Sequence, residues 1–175
     1  MAEYFENSQL VRREIESRPD LKNKITMCLD NKIEPFSFGG TVNLYRVGKL
    51  KSGLYIALRR FRSEMPEGMS TFNNKRKMME AYCQNAERLK NEGEEVPNFC
   101  VGAVNNNDAA ILTEDLTSNG KVIFEHHPDT AFGFIIKDEA RRKVWVDIDY
   151  LYGDIRKNRN PEIKYFSNGE IINLQ

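Results

Sequence analysis

Only three cysteines, Cys28, Cys83 and Cys100, occur in 175 residues. Scattered, odd in number and set in apolar segments, they give no disulfide framework, and three reduced, packed thiols are expected. Histidine is scarcer still. His126 and His127 are adjacent, and with the dispersed cysteines they offer no ligand spacing for zinc hydrolysis. No Gly-x-Ser-x-Gly turn exists to present a serine nucleophile. No apolar run approaches the roughly 20 residues that cross a bilayer, so no membrane partner is expected. Neither charge dominates: 26 basic side chains balance 26 acidic ones, which leaves no bulk field for nucleic acid or anionic lipid. Arg141-Arg142-Lys143 and Arg156-Lys157-Asn158-Arg159 are short, solvated loop charges, and nucleic acid is not an expected partner. The opening Met1 to Asn7 lacks the basic start and apolar core of a signal peptide, and a cytoplasmic location is expected. No internal repeat is visible, which excludes a solenoid.

What remains is an ordinary globular composition, 40% apolar and 30% charged, in a chain sized for one compact domain. It divides into a helical segment over 1–32, a core over 33–116 and a hairpin region over 117–175. Ser8 is suited to cap a first helix that presents Leu10, Val11 and Ile15, and Pro19 to start a second that presents Leu21, Ile25, Cys28 and Leu29. From Ile33 the period changes to that of strands, at 41–47 and 54–58, with Lys51-Ser52-Gly53 turning the chain. A long helix follows over 70–91, with Met78, Tyr82, Ala86 and Leu89 as its buried stripe and Lys75, Lys77, Gln84 and Lys90 toward water. Strands at 99–104 and 109–112 flank the turn cluster Asn105 to Asp108. Further strands are expected at 134–136 and 144–146, and Ser167-Asn168-Gly169 marks a C-terminal hairpin. The fold class is α+β, a mainly antiparallel sheet packed on one long helix.

Three strands, a helix and two strands is also the plan of the protein-kinase small lobe, and several motifs fall in the corresponding order. Phe36-Ser37-Phe38-Gly39-Gly40-Thr41-Val42 resembles the loop that covers the phosphates, although two glycines remain of the family's three and a Gly-Gly hairpin turn accounts for them as well. Ile56-Ala57-Leu58-Arg59 resembles the strand that ends in the phosphate-binding lysine, here an arginine. Read without the resemblance, Arg59 and Arg60 are strand-end charges. Met79-Glu80-Ala81 with Leu89, Gly93, Val96 and Pro97 resembles the glutamate-bearing helix of the RIO kinases, aminoglycoside phosphotransferases and lipopolysaccharide kinases. The resemblance makes Glu80 the partner of Arg59, with Glu87 as the alternative. Ile111-Leu112-Thr113-Glu114-Asp115-Leu116 is similar to the adenine-holding hinge of that group.

His127-Pro128-Asp129 through Ile136 aligns without gaps on the group's catalytic loop, and Val144-Trp145-Val146-Asp147 on its metal-binding turn. The resemblance implies Asp129 as catalytic base, Asp147 as magnesium ligand, and Gly39, Gly40, Val42, Arg59, Glu80 and Glu114 around ATP. His-Pro-Asp also occurs in J-domain co-chaperones, but there it lies between helices, whereas Lys121 to Phe124 is strand-like. Two departures bear on function. Phe134 replaces the metal-binding asparagine, and a phenyl ring cannot ligate magnesium. The segments that build a large lobe are far too short. The expectation is therefore a pseudokinase-like module that binds a nucleotide or a protein partner. A minimal ATP- and Mg-dependent phosphotransferase using Asp129 and Asp147, or an unrelated α+β interaction domain, are the alternatives.

Overall fold

The computed structural model describes residues 2–39, 42–61, 72–106, 108–117, 123–126, 133–136, 140–148 and 171–174. In chain order these hold α1 (Ala2–Glu16), α2 (Pro19–Leu29), β1 (Ser37–Gly39), β2 (Val42–Lys49), β3 (Tyr55–Phe61), α3 (Phe72–Asn91), β4 (Cys100–Val104), β5 (Ala109–Glu114), β6 (Ile123–His126), β7 (Gly133–Ile136), β8 (Lys143–Asp147) and β9 (Ile171–Asn173). The protein is α+β.

Pro19 occupies the first turn of α2, where its missing N–H costs no hydrogen bond. Leu21, Ile25, Cys28 and Leu29 form the buried stripe of that helix, as their spacing predicts. Ser8 does not cap α1. It lies inside the helix, fully buried, and its hydroxyl accepts the Cys100 amide at 3.1 Å. The apolar residues after Ser8 mimic a helix start, but the helix already runs from Ala2. Where α2 crosses β2, a Cβ on Gly48 would stand 2.7 Å from the Leu21 side chain, so glycine is what lets helix and strand approach.

Six strands form the main sheet in the order β1-β2-β3-β5-β4-β9. The first five pair antiparallel, and β9 adds to β4 in parallel, so the sheet is mixed. The sheet is mainly antiparallel, as expected; its parallel pairing comes from the C-terminal run, where residues 171–173 join β4. Residues 162–166, the other arm of the expected hairpin, lie outside the described residues. The sheet is also covered on both faces rather than one. Val101, Ala103, Ala110 and Leu112 pack with Ile15, Leu21 and Ile25 of α1 and α2. Cys100, Val104, Ala109 and Ile111 pack with Met78, Met79, Tyr82, Cys83, Ala86 and Leu89 of α3. That alternation along β4 and β5 is the period-two pleat of a strand buried on both sides.

The C-terminus of α3 closes on Gly93 at φ +88°. The Gly93 amide donates to the Lys90 carbonyl at 3.0 Å and the Glu94 amide to the Leu89 carbonyl at 2.9 Å, a full Schellman cap. Met78, Tyr82, Ala86 and Leu89 are buried as their spacing predicts. Lys75 is not at the surface as expected. It is buried and donates to Asp108 at 3.2 Å. Asp108 also accepts Arg60 Nε at 2.8 Å and the Ala109 amide at 2.9 Å, while Arg60 reaches the Cys28 carbonyl at 3.2 Å. One carboxylate thus ties α3, β3 and the end of α2 to the β4–β5 turn. Burial works against the Arg60 charge, but Tyr45 and Asp108 hold its pKa above the ordinary value.

Cys83 of α3 and Cys100 of β4 form a disulfide between Cα atoms 6.0 Å apart, and only Cys28 is free. This corrects the expectation of three thiols: helix packed on strand brings two residues together that lie 17 apart in sequence. A second sheet, β6-β7-β8, meets the chain just beyond the end of α3. The Trp145 amide donates to the Glu95 carbonyl at 2.9 Å, and Arg142 pairs with Glu95 at 2.9 Å.

Two expectations follow. Asp108→Ala leaves the buried Lys75 and the half-buried Arg60 without their acid and should cost about 3 kcal/mol, read as a melting shift of roughly 6–12 °C. Alkylation of the unfolded chain should label Cys28 alone before reduction and all three cysteines after it; labelling of all three beforehand removes the disulfide.

Candidate functional site

Strand register sets two rows of side chains across the α3-facing side of the main sheet. One runs Arg46, Ala57, Thr113, Cys100, and the next Leu44, Arg59, Ile111, Gly102. Val42 follows Leu44 on the same side of β2, one pleat on. Helix α3 covers the β4 and β5 end of these rows, while Val42, Ala57, Thr113 and Arg59 lie buried beside it. Gly39 pairs with Val42 at the end of the β1–β2 pairing; Gly40 lies outside the described residues.

Of the two charged side chains in these rows, Arg46 is exposed and Arg59 is not. Buried, it sets its guanidinium carbon 5.4 Å from the centre of the Tyr82 ring, a cation–π contact that orients it under α3. Glu80 is not its partner. Residues two apart on a helix point about 200° apart, so the turn that aims Tyr82 at Arg59 aims Glu80 elsewhere. Glu80 is nevertheless only 1% exposed; Oε1 accepts Arg76 Nε at 3.3 Å, while Oε2 has no hydrogen-bond partner. Burial raises its pKa above the ordinary 4.5, against the pull of Arg76.

In the hinge-like stretch the buried acid is Asp115 rather than Glu114. The Glu114 carboxylate accepts Asn98 Nδ2 at 2.6 Å in an exposed pair. Asp115 accepts the Thr117 amide at 2.9 Å and its hydroxyl at 2.6 Å, and its own amide donates to the Tyr55 carbonyl at 2.8 Å. Arg46, its guanidinium stacked 4.4 Å over the Phe36 ring, completes the cluster with a 3.4 Å contact to Asp115. These bonds fix the turn that leaves β5.

Asp147 ends β8 opposite Gly133, and Asp129 lies outside the described residues. Phe134 sits in the second sheet's core, its ring edge-on to Trp145 with centroids 5.1 Å apart. Asn85, one turn beyond Tyr82 on the same side of α3, is buried and donates Nδ2 to the Ile148 carbonyl at 2.7 Å. Ile148 is fully buried in the cluster that contains Val42 and Tyr82. Tyr82, Asn85 and Asp115 carry the polar geometry here, and the motif alignment names none of them as site residues. The i, i+3 spacing of Tyr82 and Asn85 is the one signal in the sequence that links two of them. Comparison with protein-family models, curated proteins and solved structures finds no match to this chain. Among the described residues no helix is long and apolar enough to cross a membrane.

Glu80 supplies a pH expectation. A carboxyl whose folded pKa is raised contributes stability below its unfolded value, and that contribution is lost as pH rises through the folded value. Glu80→Gln should therefore gain stability relative to the parent chain as pH climbs from below 4.5 toward neutrality. Denaturation curves that stay parallel across that range would show that the carboxyl is not desolvated.

Proposed function

We propose that the chain is a pseudokinase-like module that binds a nucleotide beside α3, on the α3-facing side of the main sheet, with Arg59 on its phosphates. The observation that carries this reading is the placement of Arg59: a permanently charged guanidinium, buried, braced by the Tyr82 ring and flanked by the small or apolar Val42, Ala57 and Thr113. A cation held this way meets phosphate oxygens without first losing side-chain freedom. Apolar neighbours on adjacent strands suit the face of a base. The strand order, with β5 between β3 and β4, agrees with a small-lobe plan.

Binding is favoured over phosphoryl transfer by Phe134. The resemblance puts a magnesium-binding asparagine there, but the ring packs on Trp145 and carries no oxygen, so that position does not suit the ion.

Titration with ATP, with and without magnesium, tests the reading. A ligand at a hundred times its dissociation constant adds about 2.7 kcal/mol, which is several degrees of melting temperature for a domain of this size. The shift should be similar with and without magnesium, and Arg59→Met should weaken binding about tenfold or more. No shift at millimolar ATP rejects the nucleotide reading, and catalytic release of phosphate would reverse the preference for binding over transfer.

A further inference from the structure

The bond from Asn85 joins the middle of α3 to the residue that follows β8. Asn85 lies mid-helix, where asparagine is a poor helix former, and it is only 4% exposed. A buried asparagine in that place needs its polar atoms satisfied. Its Nδ2 meets the Ile148 carbonyl at 2.7 Å, a short, well-formed bond to the residue directly after Asp147. Ile148 in turn buries its side chain with Val42 of β2 and Tyr82 of α3. One helix face therefore holds both halves of the candidate site. Tyr82 braces Arg59, and one turn later Asn85 holds the end of β8.

We propose that Asn85 is a positioning residue, which fixes the Ile148 carbonyl and thereby sets Asp147 and the end of β8 against the α3 face whose Tyr82 braces Arg59 of β3. The bond requires a donor. Aspartate at this position offers only acceptors to a carbonyl oxygen, and alanine leaves that oxygen buried and unpaired. The other ties to the second sheet, from Glu94 and Glu95 to Trp145 and Arg142, lie beyond the end of α3 and hold the start of β8. Without Asn85 the strand stays anchored at that end and is loosened at the other, beside Asp147.

The effect on ligand binding rests on the nucleotide-binding reading, but the positioning itself does not, and two measurements separate them. In amide hydrogen exchange on the full chain, Asn85→Ala and Asn85→Asp should speed exchange in 144–148 while the amides of α3 and of β3 to β5 keep their protection. The same variants should weaken ATP binding about three- to tenfold, with Asn85→Asp the weaker of the two. Unchanged exchange in 144–148, or acceleration spread equally over α3 and the main sheet, overturns the positioning role. Local loosening with unaltered ATP affinity overturns its link to the site. A parent chain that does not bind ATP rejects the nucleotide reading and leaves the exchange result to judge Asn85 alone.

Discussion

Helix α3 has to satisfy two surfaces at once, and the rest of the molecule is arranged around that demand. Its apolar stripe lies on β4 and β5, which fixes the helix against the main sheet. Its other flank reaches the second sheet through Asn85. A helix held on one side alone could slide or roll by a few degrees. Here a roll is opposed by the Cys83–Cys100 link on one flank and by the Asn85 bond on the other. Lys75 adds a third point near the N-terminus, where it joins the buried Asp108 network. The cost of that network is real, since two cations and one carboxylate leave water together. It is offset because each Asp108 oxygen accepts a charged donor and the neighbouring Ala109 amide takes part.

The proposed site inherits its order from this arrangement. Arg59 is not held by the acid that motif alignment proposes but by an aromatic face, which leaves its charge uncancelled by Glu80. Glu80, set aside on another flank, becomes a buried carboxyl with one satisfied oxygen, a local cost to the folded state at neutral pH.

Most of the secondary structure was legible because it rests on period and punctuation. Pro19, the Asn105 to Asp108 turn, Gly93 and the Met78–Tyr82–Ala86–Leu89 stripe each carry a local signal, and each lies where that signal puts it. What could not be read locally was partnership. Nothing near Lys75 in sequence announces Asp108, and nothing near residues 171–173 announces β4. The second helical layer was missed for the same reason, since amphipathic helices show that they will be buried without showing against what. The site divides along the same line. The strand frame was readable from strand grammar, Arg59 was singled out only by the resemblance, and Tyr82 and Asn85 emerge only when α3 is laid on the sheet. Asp129 and Gly40 lie outside the described residues.

The parallel pairing of β9 with β4 bears on how the chain reaches its fold. Strand β4 is made early and paired on one side by β5 across a tight turn, yet its other edge stays open until residues 171–173 arrive. During synthesis that edge belongs to a nearly complete sheet with unpaired N–H and C=O groups, an invitation to pair with a neighbouring chain. Closing it requires a contact between distant parts of the sequence, the slow kind in folding. The interval between making β4 and docking β9 is thus the time in which a nascent chain is most exposed to misassembly. Conditions that favour this fold should be those that shorten that interval.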